Sequence, residues 1–154
     1  MSRGHLGGHF KRKIMRHNKL ALYIHLIWST WDRAPLIMPD IERALYRAME
    51  QEANRMNCKV LAMGGVEDHV HLLLEVPPTV ALSDVVKQIK GASSLFVNDV
   101  LRPDHGFKWQ AAFAAFSVSR WDEAQTVAYI ELQKEHHSTG TIVPQLEMAK
   151  MANA

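Results

Sequence analysis

Two histidines, His69 and His71, stand two residues apart in the segment Asp68-His-Val-His-Leu-Leu-Leu. In an extended strand that spacing puts both side chains on one face, roughly 7 Å apart, so both imidazoles can converge on one ion. Val70, Leu72 and Leu74 alternate to the other face, toward a hydrophobic core. An imidazole in mid-strand carries a desolvation cost unless each ring nitrogen finds a partner. By itself the pair reads two ways, as a metal site or as two surface-facing histidines on a half-exposed sheet. A second polar set follows later in the chain. Gln125, Tyr129 and Gln133 are each four residues apart, and His136 and His137 continue the same helical ridge. A lone helical tyrosine is ordinarily a packing residue with its hydroxyl at the edge. Tyr23, in a strand, and Tyr46, in an amphipathic helix, fit that description better than Tyr129 does.

Together the two sets have a chemical logic. A phenol with a pKa near 10 is a poor nucleophile at neutral pH, but it can attack a phosphodiester when assisted. A divalent ion held by His69, His71 and the amide oxygen of Gln133 would polarise the phosphate and orient it for in-line attack. Gln133, one helical turn from Tyr129, would fix the ion relative to the nucleophile. The product is a phosphotyrosine ester. It retains the bond energy of the original phosphodiester, so a second strand can rejoin. Cutting and pasting DNA needs that economy, and hydrolysis does not.

The elements that must position these groups are legible from periodicity. Residues 20–28 (LALYIHLIW) are apolar and rich in β-formers. From Asp40, a candidate N-cap, Ile41, Leu45, Ala48, Met49 and Met56 recur at helical spacing to about residue 57. Residues 59–65 read as a strand ending in a Gly-Gly turn, and residues 68–76 as its hairpin partner, closed by Pro77-Pro78. A helix over 83–98 places Val85, Val86, Ile89, Ala92 and Phe96 on one side and Lys87, Lys90 and Ser94 on another. A short strand over 113–118 follows, then a Ser119/Asp122 capping box that opens a last helix running to about residue 137. The first six elements, β-α-β-β-α-β, predict an α+β, ferredoxin-like split βαβ fold. Its antiparallel four-stranded sheet carries two helices on one face, and the C-terminal helix carries the tyrosine.

Composition narrows the classes. With 154 residues, 47% hydrophobic and 22% charged, the chain suits one globular domain with tails. No apolar run reaches the roughly 18 residues of a membrane span. A single cysteine, Cys58, argues against a disulfide framework or a Cys-based zinc site and points to a cytoplasmic protein. The net charge of +2 hides an asymmetry. Residues 1–19 hold Arg3, Lys11, Arg12, Lys13, Arg16 and Lys19 and no acid, leaving 12 basic and 16 acidic groups on the rest. We therefore divide the chain into a basic arm (1–19), a domain (20–140) and a tail (141–154). The arm reads either as a solvated, glycine-containing tail or as a source of sequence-independent attraction to a phosphate backbone. His5, His9 and His17 within it also allow adventitious metal binding.

The quoted residues resemble a known family, the single-tyrosine transposases of the HUH nuclease superfamily, which includes insertion-sequence and REP-associated enzymes. The matching pieces are Glu67-Asp-His-Val-His-Leu-Leu73, Ile89-Lys-Gly91 with Ser93, Trp109-Gln110, Ala115-Phe-Ser-Val-Ser119, and Tyr129-Ile130 with Gln133 and Glu135-His-His137. They occur in the family's order over residues 20–140. The resemblance implies that His69 and His71 are the metal pair, Gln133 the third ligand and Mg²⁺ or Mn²⁺ the ion. Tyr129 would form a 5′-phosphotyrosine link to single-stranded DNA with hairpin ends. A homodimer is implied as well, in which the His pair of one copy can work with the tyrosine helix of the other. Lys87, Lys90, Lys11, Arg12 and Lys13 are the candidate DNA contacts. Two segments depart from the pattern: Gln110-Ala-Ala-Phe-Ala-Ala115 lacks the usual aromatic and glycine-containing stretch, and Glu131-Leu132 is not polar-basic. Two other functions suit the same residues: a host-adopted DNA-hairpin-binding protein without transposition, and a metal-dependent phosphoesterase that uses water.

Overall fold

A computed structural model describes residues 18–144 and Glu147. Four strands, β1 (Tyr23–Ser29), β2 (Lys59–Val66), β3 (His69–Glu75) and β4 (Ala114–Val118), form one sheet in the order β2-β3-β1-β4. All neighbours are antiparallel. Helices α1 (Pro39–Arg55) and α2 (Leu82–Phe96) connect them in the predicted split βαβ order. Beyond β4 come α3 (Glu123–Glu131) and α4 (Gln133–Thr139). Among the described residues, no helix is long and apolar enough to cross a membrane.

Strand alternation sorts the two faces. Leu26 and Trp28 of β1 and Val70, Leu72 and Leu74 of β3 are buried with Ile41, Leu45 and Met49 of α1 and Val85, Val86 and Ile89 of α2. Burying an aliphatic side chain of this size is worth about 1.5–3 kcal/mol, so this layer anchors the sheet's register. A register slip of one residue would exchange this set for the histidines. The observed register pairs Ser29 with His69, Ile27 with His71 and His25 with Leu73.

Several boundaries differ from the sequence expectation. β1 begins at Tyr23, and Leu20 and Leu22 are exposed. α1 is entered through Met38 with Pro39 in its first turn, where proline's missing N–H costs nothing, so Asp40 is not the cap. Gly64 and Gly65 do not make the hairpin turn. They lie inside β2, and Glu67-Asp68 turn instead. A Cβ on Gly65 would stand 2.2 Å from the His69 carbonyl oxygen, so close backbone approach across the hairpin explains that glycine. The Ser119 hydroxyl donates to Asp122 Oδ2 at 2.8 Å rather than capping a backbone amide of the helix. The last helix is broken at Leu132 (φ −100°, ψ 20°) into α3 and α4.

The second face of the sheet is the one left open by α1 and α2. α3 closes part of it, with Ile130 packed on Ala62 and Leu73. Lys134 holds α4 down by an ion pair with Glu42 of α1 and a 3.3 Å hydrogen bond to the Gly65 carbonyl.

Candidate active site

β3 places His69 and His71 on the face that α3 and α4 cover, and both are buried. Each ring is tied at Nδ1. His69 Nδ1 lies 2.6 Å from Asp68 Oδ1, and Arg33 holds that carboxylate through Asp68 Oδ2 at 3.2 Å. His71 Nδ1 lies 2.9 Å from Nε2 of His25 in β1. With Nδ1 occupied in this way, Nε2 of each ring is turned inward, as in metal sites where an outer partner orients the imidazole.

Tyr129 lies in the buried stripe of α3, Thr126, Tyr129 and Ile130, and Gln133 opens α4. Of the polar ridge read from the sequence, Tyr129 and Gln133 are buried and His136 and His137 half-buried, whereas Gln125 faces outward with Ala128 and Leu132. One glycine permits this docking. A Cβ on Gly64, which pairs with His71, would stand 2.1 Å from the Ile130 carbonyl oxygen. The backbone of α3 therefore rests directly on β2, beside the histidine pair. The rings of His71 and Tyr129 lie 6.2 Å apart, and His136 stacks on Tyr129 at 4.6 Å.

Glu147 joins these groups. Its Oε2 is 3.4 Å from His69 Nε2 and 3.3 Å from His71 Nε2. Its Oε1 accepts the Tyr129 hydroxyl proton at 2.8 Å and lies 3.6 Å from His137 Nε2. The sequence reading ended the domain at residue 140, and this residue lies seven positions further on. Gly140 in the left-handed conformation (φ 69°) turns the chain back after α4, and the Val143 amide donates to the Tyr129 oxygen at 3.1 Å.

The electrostatics follow from burial and these partners. Burial opposes charging His69, but the hydrogen bonds and charges of Asp68 and Glu147 outweigh it and bring its pKa up to about 9. His25 is pushed down to about 4 by burial and by His71, so it is neutral at pH 7. Burial also lowers His71, against the pull of Glu147. Burial would raise Glu147, yet hydrogen bonds from His69 and His71 hold its carboxyl well below the usual range. The Tyr129 phenol is raised by burial, with Glu147 adding to the shift and the Val143 amide and Gln133 opposing it.

Among the described residues, both amide atoms of Gln133 are buried without a close hydrogen bond, and His69 Nε2 and His137 Nε2 meet only the Glu147 carboxylate, at 3.4 and 3.6 Å. A native interior seldom leaves buried polar atoms so loosely paired. Two imidazoles, an amide oxygen and a carboxylate suit a divalent ion that takes nitrogen and oxygen donors, such as Mn²⁺, and Mg²⁺ with its preference for oxygen. The donor set therefore fits a metal ion.

The remaining predicted residues lie elsewhere. Lys87 is exposed on α2. Lys90 Nζ donates to the carbonyls of Gln110, Ala111 (3.1 Å) and Ala112 (3.2 Å), so it clamps the segment before β4. The Trp109 indole donates to Ser93 Oγ at 3.0 Å, and Gln110 bonds back to Ser29 and Asp32. Lys90, Ser93, Trp109 and Gln110 of those motifs thus brace the end of β1 next to His69. Lys11, Arg12 and Lys13 lie outside the described residues. Sequence reasoning gave no role to His25, Asp68, Arg33 or Glu147. His25 alone had a usable signal, its alternation in a strand neighbouring the His pair.

The chain has relatives among known proteins. The ISDra2 transposase TnpA of Deinococcus radiodurans is 32% identical over 119 residues, covering 74% of this chain and 85% of that protein. The transposase for insertion sequence element IS200 of Salmonella typhimurium is 26% identical over 134 residues, covering 83% and 87%. A crystal structure from D. radiodurans R1 superposes with a TM-score of 0.60 at 29% identity, covering 86% of this chain and 98% of that one. A REP-associated tyrosine transposase bound to a REP hairpin shares the fold, with a TM-score of 0.60 at 14% identity over 92% and 76% of the two chains. The family described as "Transposase IS200 like" matches residues 18–133, a span that holds both histidines, Tyr129 and Gln133, and this chain belongs to that family.

Proposed function

We propose that this transposase cleaves and rejoins single-stranded DNA through a 5′-phosphotyrosine intermediate on Tyr129, with His69, His71 and Gln133 holding Mg²⁺ or Mn²⁺. One observation carries the reading: within a single chain, the Tyr129 hydroxyl and the inward Nε2 atoms of His69 and His71 meet around one carboxylate. The phenol oxygen would attack the scissile phosphorus as the bond to the 3′ oxygen breaks, leaving a free 3′-hydroxyl. The phenolic proton already points at a carboxylate oxygen. When bound, the ion supplies charge that polarises the phosphate and orients it for in-line displacement. Asp68 and His25 set the ring orientations, and Gly64 sets the depth of the tyrosine helix.

The DNA substrate carries hairpin ends, gripped by phosphate contacts from Lys87 and the basic arm with Lys11, Arg12 and Lys13. Lys90 contributes by shaping the loop before β4. Two copies would handle two DNA ends, while each chain completes its own chemical site. Acting on DNA puts the enzyme in the cytoplasm, the compartment lone Cys58 already favours.

The test is incubation of hairpin-flanked single-stranded DNA with protein and Mn²⁺, read as a denaturation-resistant protein–DNA adduct. Wild type forms the adduct, chelator abolishes it and Tyr129→Phe forms none. An adduct from Tyr129→Phe equal to wild type refutes the assignment.

A further inference from the structure

The chain beyond α4 brings an anionic group into a site whose three proposed ligands are all neutral when bound. We propose that Glu147 is a fourth protein ligand of the ion held by His69 and His71, an inference that rests on the metal-dependent reading above.

Distance is the first ground. Glu147 Oε2 lies 3.3 Å from His71 Nε2 and 3.4 Å from His69 Nε2. Adjacent ligands of an octahedral Mg²⁺-type centre with bonds of about 2.1 Å stand roughly 3 Å apart, so drawing these atoms together by a few tenths of an ångström makes cis neighbours of them. The donors of His69, His137 and Glu147 also lie within 4.8 Å of one another.

Orientation is the second ground. Both Nδ1 atoms are engaged by Asp68 and His25, so the inward Nε2 atoms are the ones available to an ion. The carboxylate is held on both sides, with Oε2 toward the histidines and Oε1 on the Tyr129 hydroxyl at 2.8 Å. Its side chain is only 11% exposed. The return of the chain is built too, by the left-handed Gly140, the Thr141 amide to the His136 carbonyl, and the Val143 amide to Tyr129.

Charge is the third. A dication taking only imidazole and amide ligands in a buried site keeps its full charge, and Asp68 reaches it only through His69. A direct carboxylate offsets one unit and is the oxygen donor that Mg²⁺ and Mn²⁺ prefer. Four protein ligands would still leave room for the oxygens of a phosphate. Because the same carboxylate touches Tyr129, a single side chain would link the ion to the phenol.

The experiment is Mn²⁺ titration of the full chain without DNA, read by loss of the electron paramagnetic resonance signal of free aqueous Mn²⁺. Glu147→Gln is expected to weaken binding at least roughly tenfold, toward the loss given by His71→Ala. It should also abolish most of the rise in melting temperature that Mn²⁺ gives wild type. Glu147→Asp, which keeps the charge but withdraws it, is expected to fall between the two, and it serves if the glutamine variant does not fold. Unchanged Mn²⁺ affinity in the folded variants overturns the proposal, and faster adduct formation alongside it would make the carboxylate a plug that substrate displaces. The two readings fail separately. Weakened Mn²⁺ binding with no wild-type adduct keeps the ligand and removes the tyrosine chemistry, and the opposite pair of results does the reverse.

Discussion

Adding one methyl group at Gly64 tests how the tyrosine is aimed. The alanine Cβ would stand 2.1 Å from the Ile130 carbonyl oxygen and 3.1 Å from its carbon, where side-chain carbons keep at least 3.0 Å. Both obstacles are backbone, so no rotamer change relieves them. α3 must lift by roughly 1 Å, and overpacking of this kind costs about 1–3 kcal/mol. For a chain of this size, that lowers the melting temperature by roughly 3–10 °C. Tyr129 precedes Ile130, so its hydroxyl moves with the helix while His69 and His71 stay in the sheet. A misplacement of about 1 Å at a reacting atom can reduce the rate about a hundredfold. Single-turnover adduct formation should be measured well below the melting temperature of Gly64→Ala, where the variant is fully folded, so that the rate reports geometry alone. Gly91→Ala is the control. It lies inside α2 with nothing within 4 Å of the added carbon, and it should stabilise the protein by about 0.5–1 kcal/mol without slowing the reaction. A Gly64→Ala protein with wild-type stability and wild-type rate would refute the account of how α3 is seated.

Further outcomes follow from the same geometry. Asp68→Asn removes the charge that orients His69 and should weaken Mn²⁺ binding by roughly ten- to a hundredfold, measured by calorimetry. A mixture of His71→Ala and Tyr129→Phe chains should form no more adduct than either alone, because both groups belong to one chain's site. Recovery of adduct in the mixture would place the working tyrosine in a second copy. Lys90→Met should lower stability in chemical denaturation by about 1–3 kcal/mol through three carbonyls left without their donor. Lys87→Met should leave stability unchanged and reduce the salt dependence of DNA binding by about one ion.

Much of the fold was legible because its signals are local. The alternation of Val70, Leu72 and Leu74 against His69 and His71 needs only the two-residue period of a strand, and the structure keeps that sorting. The α1 and α2 stripes follow from the helical period in the same way. The break at Leu132 was not legible. No proline or glycine marks it, and it comes from the packing of α3 on β2 and of α4 against α1. The Gly64-Gly65 pair misled for a related reason. Glycine signals either a turn or a close approach, and only the neighbour across space tells which.

What the sequence determined by itself was which residue types are present and which strand face carries the histidines, because the two-residue period of a strand imposes that. Tyr129 and Gln133 are four residues apart in the chain, but the break at Leu132 falls between them, so the packing of α3 and α4 sets their relation. The tertiary structure alone decided that the histidine face and the tyrosine helix meet within one chain, which depends on a missing side chain at Gly64. It also decided which groups orient the rings, since His25 is 46 residues from His71 in sequence and reaches it through strand pairing. Glu147, 18 residues beyond Tyr129, enters only because the chain folds back after Gly140. Contacts of that kind depend on the path of the chain, and no residue pattern along it encodes them locally.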